Sequence, residues 1–266
     1  MLFRSEQLLK KYEKNIDIRI AVILEQGMAA CYRNELSSAE NFVKKAMAVF
    51  PQVSMTTLLV RLLKGRASCY LAGIYRRDKM KLGKAQRCIE AAKKHLKNTD
   101  SIFDRACLVY EEGCLQYEQA HLSCMAEQAK RCFDQCIKTC SLASNAEDPN
   151  NLLFIWHDLA LMKKAMLLLD CFTKSGRESR TVKEETLLEA KGCLNKLKIN
   201  LVSKMPAIAQ VQYHLARSDQ YFREQRLVDA CGHAQLGFDL SLRYRFHTID
   251  AAEVRLNYFM GLRNSI

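Results

Sequence analysis

Read from Ala39, the stretch AENFVKKA places apolar or small residues at offsets of four and seven from the alanine, with polar residues between them. That spacing predicts an amphipathic helix. The same shape returns as AQRCIEAA from Ala85, AKRCFDQC from Ala129, AKGCLNKL from Ala190 and ACGHAQLG from Ala230, at intervals of 46, 44, 61 and 40 residues. Three positions before the anchors stand Leu36, Leu82, Ala126, Leu187 and Leu227. A repeat of this length, too short to bury its own apolar face, predicts helix pairs stacked on one another.

A second apolar stripe precedes each anchor and supplies the first helix of a pair. Twelve residues before four of the anchors lie Gly27, Gly73, Tyr117 and Ser218. The small ones are expected where two helices cross closely. In the fourth unit the first helix reads NLLFIWHDLALMKKAMLLLDCF and is followed by a polar loop, TKSGRESRTVKEE. Pro51, Pro149 and Pro206 all fall between pairs, where proline ends or opens a helix without breaking one. The expected repeats are 15–51, 54–98, 101–144, 150–203 and 206–247, with a terminal helix at 248–263 that caps the stack. A compact helical bundle would show the same amphipathic pattern.

Composition agrees with helices. The 266 residues include only three prolines and ten glycines, with 49% hydrophobic and 26% charged positions. The densest apolar stretch, AMLLLDCF, is interrupted by Asp170, and the first residues lack the apolar middle of a secretory signal. These features predict a soluble intracellular protein, cytoplasmic or alternatively nuclear. The twelve cysteines are then expected as free thiols that pack like small hydrophobes.

The mutual offsets of Gly27, Ala39, Ala46 and Pro51 (12, 7 and 5) resemble a tetratricopeptide repeat. Gly73, Ala85 and Ala92 match in the second unit, Ala129 and Phe133 in the third, and Tyr221 and Ala230 in the fifth. The resemblance implies an all-α right-handed superhelix of about five antiparallel helix pairs, forming one domain over 1–266. It also implies that the first helices line a groove for an extended peptide or a helix of a partner. Projected onto this chain, the groove positions are Met28, Cys31, Tyr70, Ile74, Arg77, Glu118, His121, Leu215, Asp219 and Phe222. The carboxylate clamp of relatives that grip chaperone tails has no counterpart, because Leu24, Met28, Tyr70 and Ile74 stand at its places.

Charge and reactive groups refine the expected function. The net charge is +12, and residues 41–100 alone carry fourteen Lys/Arg against three Asp/Glu. The basic face expected there comprises Arg76, Arg77, Lys79, Lys81, Lys84, Arg87, Lys93, Lys94 and Lys97, either as a solvated outer surface or as a dock for an acidic partner. Cys132, Cys136 and Cys140 recur every four residues, so the outer two lie about 12 Å apart along a helix and cannot share one zinc ion. Cys132 is expected on the inner face, since Cys88 and Cys193 share its register. A two-thiol start at Cys132 and Cys136 would need His121 or Cys124 to hold a metal, and no metal or cofactor is expected. His157 and Asp158 are expected to point apart, and the pairs Glu111–Glu112 and Glu184–Glu185 to be solvated. No catalytic or nucleotide-binding motif occurs. The expectation is a non-enzymatic protein-interaction scaffold. The alternative is a nucleic-acid-binding helical repeat using the basic face at 76–97, as in tetratricopeptide proteins that hold RNA.

Overall fold

Short polar side chains set where helices begin. Asn15 accepts a hydrogen bond from the Ile18 N–H at 3.1 Å, Thr57 from Val60 at 3.2 Å and Ser101 from Asp104 at 3.3 Å, so one orphan amide of each first turn is satisfied. The computed structural model describes residues 15–52, 57–119, 123–143, 153–170, 182–197, 205–246 and 248–264. They form eleven α-helices and no strand. In chain order these are α1 (Ile16–Tyr32), α2 (Leu36–Val49), α3 (Leu58–Tyr75), α4 (Leu82–Leu96), α5 (Ile102–Glu118), α6 (Ser123–Ser141), α7 (Phe154–Leu168), α8 (Glu184–Lys196), α9 (Ala207–Arg223), α10 (Leu227–Arg243) and α11 (Ile249–Asn264). Pro51 sits in a 3-10 turn after α2, and Pro206 is the residue before α9. Pro149 and most of the polar loop after α7 lie outside the described residues.

The turn from α1 to α2 and the turn from α9 to α10 are built alike. Asn34 and Gln225 take left-handed φ values of 66° and 60°. The following amides, Glu35 and Arg226, then reach back to the Ala30 and Tyr221 carbonyls at 3.0 and 2.9 Å. This closure satisfies carbonyls that the helix end would leave open.

The chain divides into two compact units, Met1–Trp156 and His157–Ile266. In the first, α1 packs on α2, α3 on α4 and α5 on α6, while the first helices α1, α3 and α5 lie side by side. In the second, α9 packs on α10, α11 on α10 and α8 on α9. Both units are repeat-like arrays of packed helices. The anchor alanines are inaccessible to solvent in all five repeats, as are Val43, Ile89, Phe133, Leu194 and Ala234 four residues on. Each large apolar side chain in that set contributes about 1.5–3 kcal/mol by leaving water.

Close helix crossings need glycine at several places, and a Cβ on Gly65 would run into the Leu96 side chain. A Cβ on Gly27 would lie 2.9 Å from a Val43 methyl and 3.3 Å from Phe42 Cβ; one on Gly113 would lie 2.9 Å from Cys132 Cβ and from the Phe133 ring. The third pair therefore crosses at Gly113, one turn before the expected Tyr117. Gly73 does not serve its own pair. It faces the Glu111 carboxylate of α5, with a would-be Cβ 2.9 Å from Oε1.

The terminal helix docks by its apolar side. Leu256 and Phe259 join Ala230, Cys231 and Ala234 in one cluster, with Phe222 and Phe259 rings 4.9 Å apart. Arg255, also buried, places its guanidinium 3.2 Å from both Asp219 oxygens.

Candidate functional site

The positions projected onto an inner groove are largely consumed by packing between helices. Met28, Cys31, Tyr70, Ile74 and Leu215 are buried. Tyr70 donates its hydroxyl to Glu25 at 2.9 Å. Arg77 donates to the Cys31 carbonyl at 2.7 Å, and Asp219 is held by Arg255. Phe222 meets Tyr258 edge to face and packs at a tilt against Phe259. Glu118 is half-buried at the end of α5, and His121 lies outside the described residues. A ladder of charge-assisted bonds runs through the same layer. Arg66 contacts Glu25 at 3.7 Å and forks onto Asp104 at 2.8 and 3.2 Å, and Ser101 donates to that carboxylate at 2.7 Å.

Three expectations about charged residues are corrected here. Arg76 is not part of an exposed basic face: its side chain is buried and donates to Glu111 Oε2 at 2.8 Å. Glu111 is accordingly buried and not solvated, whereas Glu184 and Glu185 are exposed in the first turn of α8. His157 Nδ1 and Asp158 Oδ1 approach to 2.9 Å, because side-chain torsions fold the adjacent groups together despite their diverging Cβ directions.

The remaining cations of the stretch differ in how they are engaged. Lys81 lies 3.3 Å from Asp78, Lys93 pairs with Glu112 at 2.7 Å, and Lys84 lies over the Tyr75 ring at 5.9 Å. The Lys79 side chain is outside the described set. Arg87, Lys94 and Lys97 are exposed and make no ion pair among the described residues. Their neighbourhood is electropositive: His95 takes up protons less readily than usual through burial and through Lys64, Arg61 and Lys94.

The cysteine ladder on α6 places Cys136 and Cys132 in different environments. Cys136 is the innermost, with its Sγ 3.5 Å from the Ala106 carbonyl and 3.8 Å from that of Trp156. A hydrogen bond with Cys140, followed by burial, raises the Cys136 pKa. Cys132, expected on the inner face, is half-buried at the crossing with Gly113 and contacts Gln116 at 3.6 Å. Burial and the Glu112 carboxylate push its thiol up to about 12. Such thiols are poor nucleophiles.

One open groove on the first unit combines apolar and basic groups. It measures about 600 Å³ and lies along the second helices α4 and α6, with α5 as its floor. Leu96, Ile102, Leu108 and Val109 form the apolar part, and Leu142 adds a side chain that is 73% exposed. Lys93, Lys97 and Arg105 stand along it, and Gln135 and Thr139 supply its uncharged polar groups. Arg105 is exposed and, like Lys97, makes no ion pair among the described residues. Within the expected basic face, among the described residues, only Lys93 and Lys97 reach this groove. Arg105 and Leu142 were not among the expected site residues, because they lie in other repeats than the basic stretch and meet it only through packing.

No helix among the described residues is long and apolar enough to cross a membrane. No protein-family model, curated protein or solved structure matches this chain.

Proposed function

We propose that the chain is a non-enzymatic interaction scaffold of the tetratricopeptide-repeat type that binds a segment of a protein partner. The observation carrying this is the groove over α5, where partly open Ile102 and Val109 and exposed Leu142, beside buried Leu96, adjoin the uncommitted cations Lys97 and Arg105. Apolar side chains left open beside a few placed polar groups are the usual chemistry of a recognition site. Against catalysis stand the thiols, whose pKa values are raised, and the buried acid–arginine pairs, which occupy one another.

A protein partner is favoured over RNA or DNA. Single-stranded nucleic acid is held by aromatic rings on which bases stack, and no aromatic side chain lines the groove among the described residues. The tyrosines nearest the basic stretch are engaged: Tyr70 with Glu25, and Tyr75 with Glu40 at 3.0 Å.

Selection of a displayed random-peptide library on the purified chain tests the function. The expected result is an enriched sequence pattern whose binding is lost in the exposed-site double variant Lys97→Glu/Arg105→Glu. Absence of any enriched pattern, or binding indifferent to that variant, would sink the scaffold at this site. Tight binding of an RNA oligonucleotide that weakens steeply with salt and with Arg87→Glu/Lys94→Glu would favour the nucleic-acid alternative instead.

A further inference from the structure

We infer that the groove along α4 and α6 receives an acidic amphipathic helix of the partner, not an extended strand. The inference rests on the interaction function above and names the occupant of that same site.

The backbone of the groove argues for a helix. Its walls and floor come from α4, α5 and α6, whose N–H and C=O groups are used within their own helices. No sheet edge is offered to a guest. An extended segment pressed onto Leu96, Ile102 and Val109 would bury N–H groups with only Gln135 and Thr139 side chains to accept from them. Each buried amide without a partner loses its hydrogen bonds to water with nothing to replace them. A helical guest brings its backbone bonds already made and presents only side chains, which is what a groove between helices can accept.

The apolar and charged groups set the chemistry of the two faces. The stripe formed by Leu96, Ile102, Val109 and Leu142 accepts apolar residues spaced at one helical turn. The flanking side must be acidic. Lys97 and Arg105 lack ion-pair partners among the described residues, and no carboxylate lines the groove among those residues. Glu112, the nearby acid, is held by Lys93. A basic guest would meet like charge, and a neutral one would leave Lys97 and Arg105 without a gain in steering or register.

Three fluorescein-labelled peptides of about four helical turns serve as probes. The first is lactam-stapled, with Leu every three or four residues and Glu on the flanks. The second has the same composition with a central proline. The third replaces Glu by Lys. Anisotropy titrations on the full chain are expected to give a Kd at least about tenfold lower for the first than for either other, equal to about 1.4 kcal/mol. Lys97→Glu/Arg105→Glu, with unchanged circular dichroism, is expected to erase that advantage. Rising salt should weaken the first probe and not the third.

Equal or tighter binding of the proline peptide would overturn the helical occupant and leave the peptide-binding function standing. Equal binding of the lysine peptide would overturn the acidic requirement. Display-selected peptides that reach the groove while the stapled helix does not would also overturn the inference alone. If neither class of peptide is sensitive to the groove variant, the inference and the proposed function fall together. Self-association that occludes Arg105 in sedimentation and cross-linking would replace the helix by a second copy of the chain.

Discussion

Arg76 Nε donates to Glu111 Oε2 at 2.8 Å with both side chains buried, and the same carboxylate fills the space where Gly73 lacks a Cβ. The pair joins α3 to α5 through the interior of the first unit. Removing one partner leaves a buried charge uncompensated, whereas removing both leaves only a packing change.

Glu111→Leu is therefore expected to destabilise the first unit by about 3–5 kcal/mol. Arg76→Met combined with Glu111→Leu should recover most of that loss. Urea unfolding followed by fluorescence of Trp156 checks this, since the chain's one tryptophan packs on Phe103 and Tyr110 at 5.7 and 5.4 Å. A double variant as unstable as the single would refute the electrostatic origin.

Two glycine-to-alanine changes should have opposite signs. Gly113→Ala drives a methyl to 2.9 Å from Cys132 Cβ and the Phe133 ring, and is expected to destabilise by about 1–3 kcal/mol despite better helix propensity. Gly232→Ala faces open space on α10 and should stabilise by about 0.5–1 kcal/mol. Chemical denaturation of each variant measures the contrast, and a stabilising Gly113→Ala would show that the crossing is looser than described.

The second unit should lose stability in mild acid. His214 and His233 on α9 and α10 share an Nδ1–Nδ1 contact of 3.0 Å, with Tyr213 and Tyr221 against the rings. Burial and His233 lower the His214 pKa from 6.5 to about 4, and burial with Arg217 lowers that of His233 against the opposing pull of Asp229. Between about 6.5 and about 4 the unfolded chain binds more protons than the folded one, so stability falls as pH falls through that window. With solvent screening the loss is on the order of 2 kcal/mol. Amide exchange in α9 and α10 at pH 7 and pH 5 reports it, and His214→Gln should flatten the dependence.

Alkylation should separate the α6 thiols. With its pKa pushed up to about 12 from 9.0, Cys132 has far less thiolate at pH 8, partly offset by greater intrinsic nucleophilicity. It is expected to react with iodoacetamide roughly 40-fold more slowly than in the urea-unfolded chain, and Cys136 more slowly still. Peptide mass spectrometry over time decides; labelling of Cys132 at the unfolded rate would mean an open, thiolate-stabilising site.

The left-handed turn before α10 offers a stabilising change. Gln225 holds φ 60° with a side chain that is exposed. Gln225→Gly removes the Cβ clash of that conformation and should raise stability by roughly 1 kcal/mol, read from the thermal midpoint. A lowered midpoint would show that the Gln225 side chain contributes more than the strain it imposes.

The period of the apolar pattern determined the helices and the face each one buries. Ala39, Ala85, Ala129, Ala190 and Ala230, with the residues four places on, are inaccessible to solvent, because solvation is a property of local sequence repeated every turn. The prolines were legible for the same reason, as Pro51 and Pro206 act on their immediate neighbours at the end of α2 and the start of α9. What tertiary structure alone decided is the fate of charges and the place of the groove. Arg76 and Arg77 share a basic stretch with exposed Lys84 and Arg87, yet one is paired to Glu111 and the other to the Cys31 carbonyl, 35 and 46 residues away. Gly73 makes room for a carboxylate on another repeat, and Lys97, Arg105 and Leu142 meet along one groove from three segments of the chain. Side-chain pairing across repeats depends on how helices are rotated and spaced against one another, and no local periodicity encodes that.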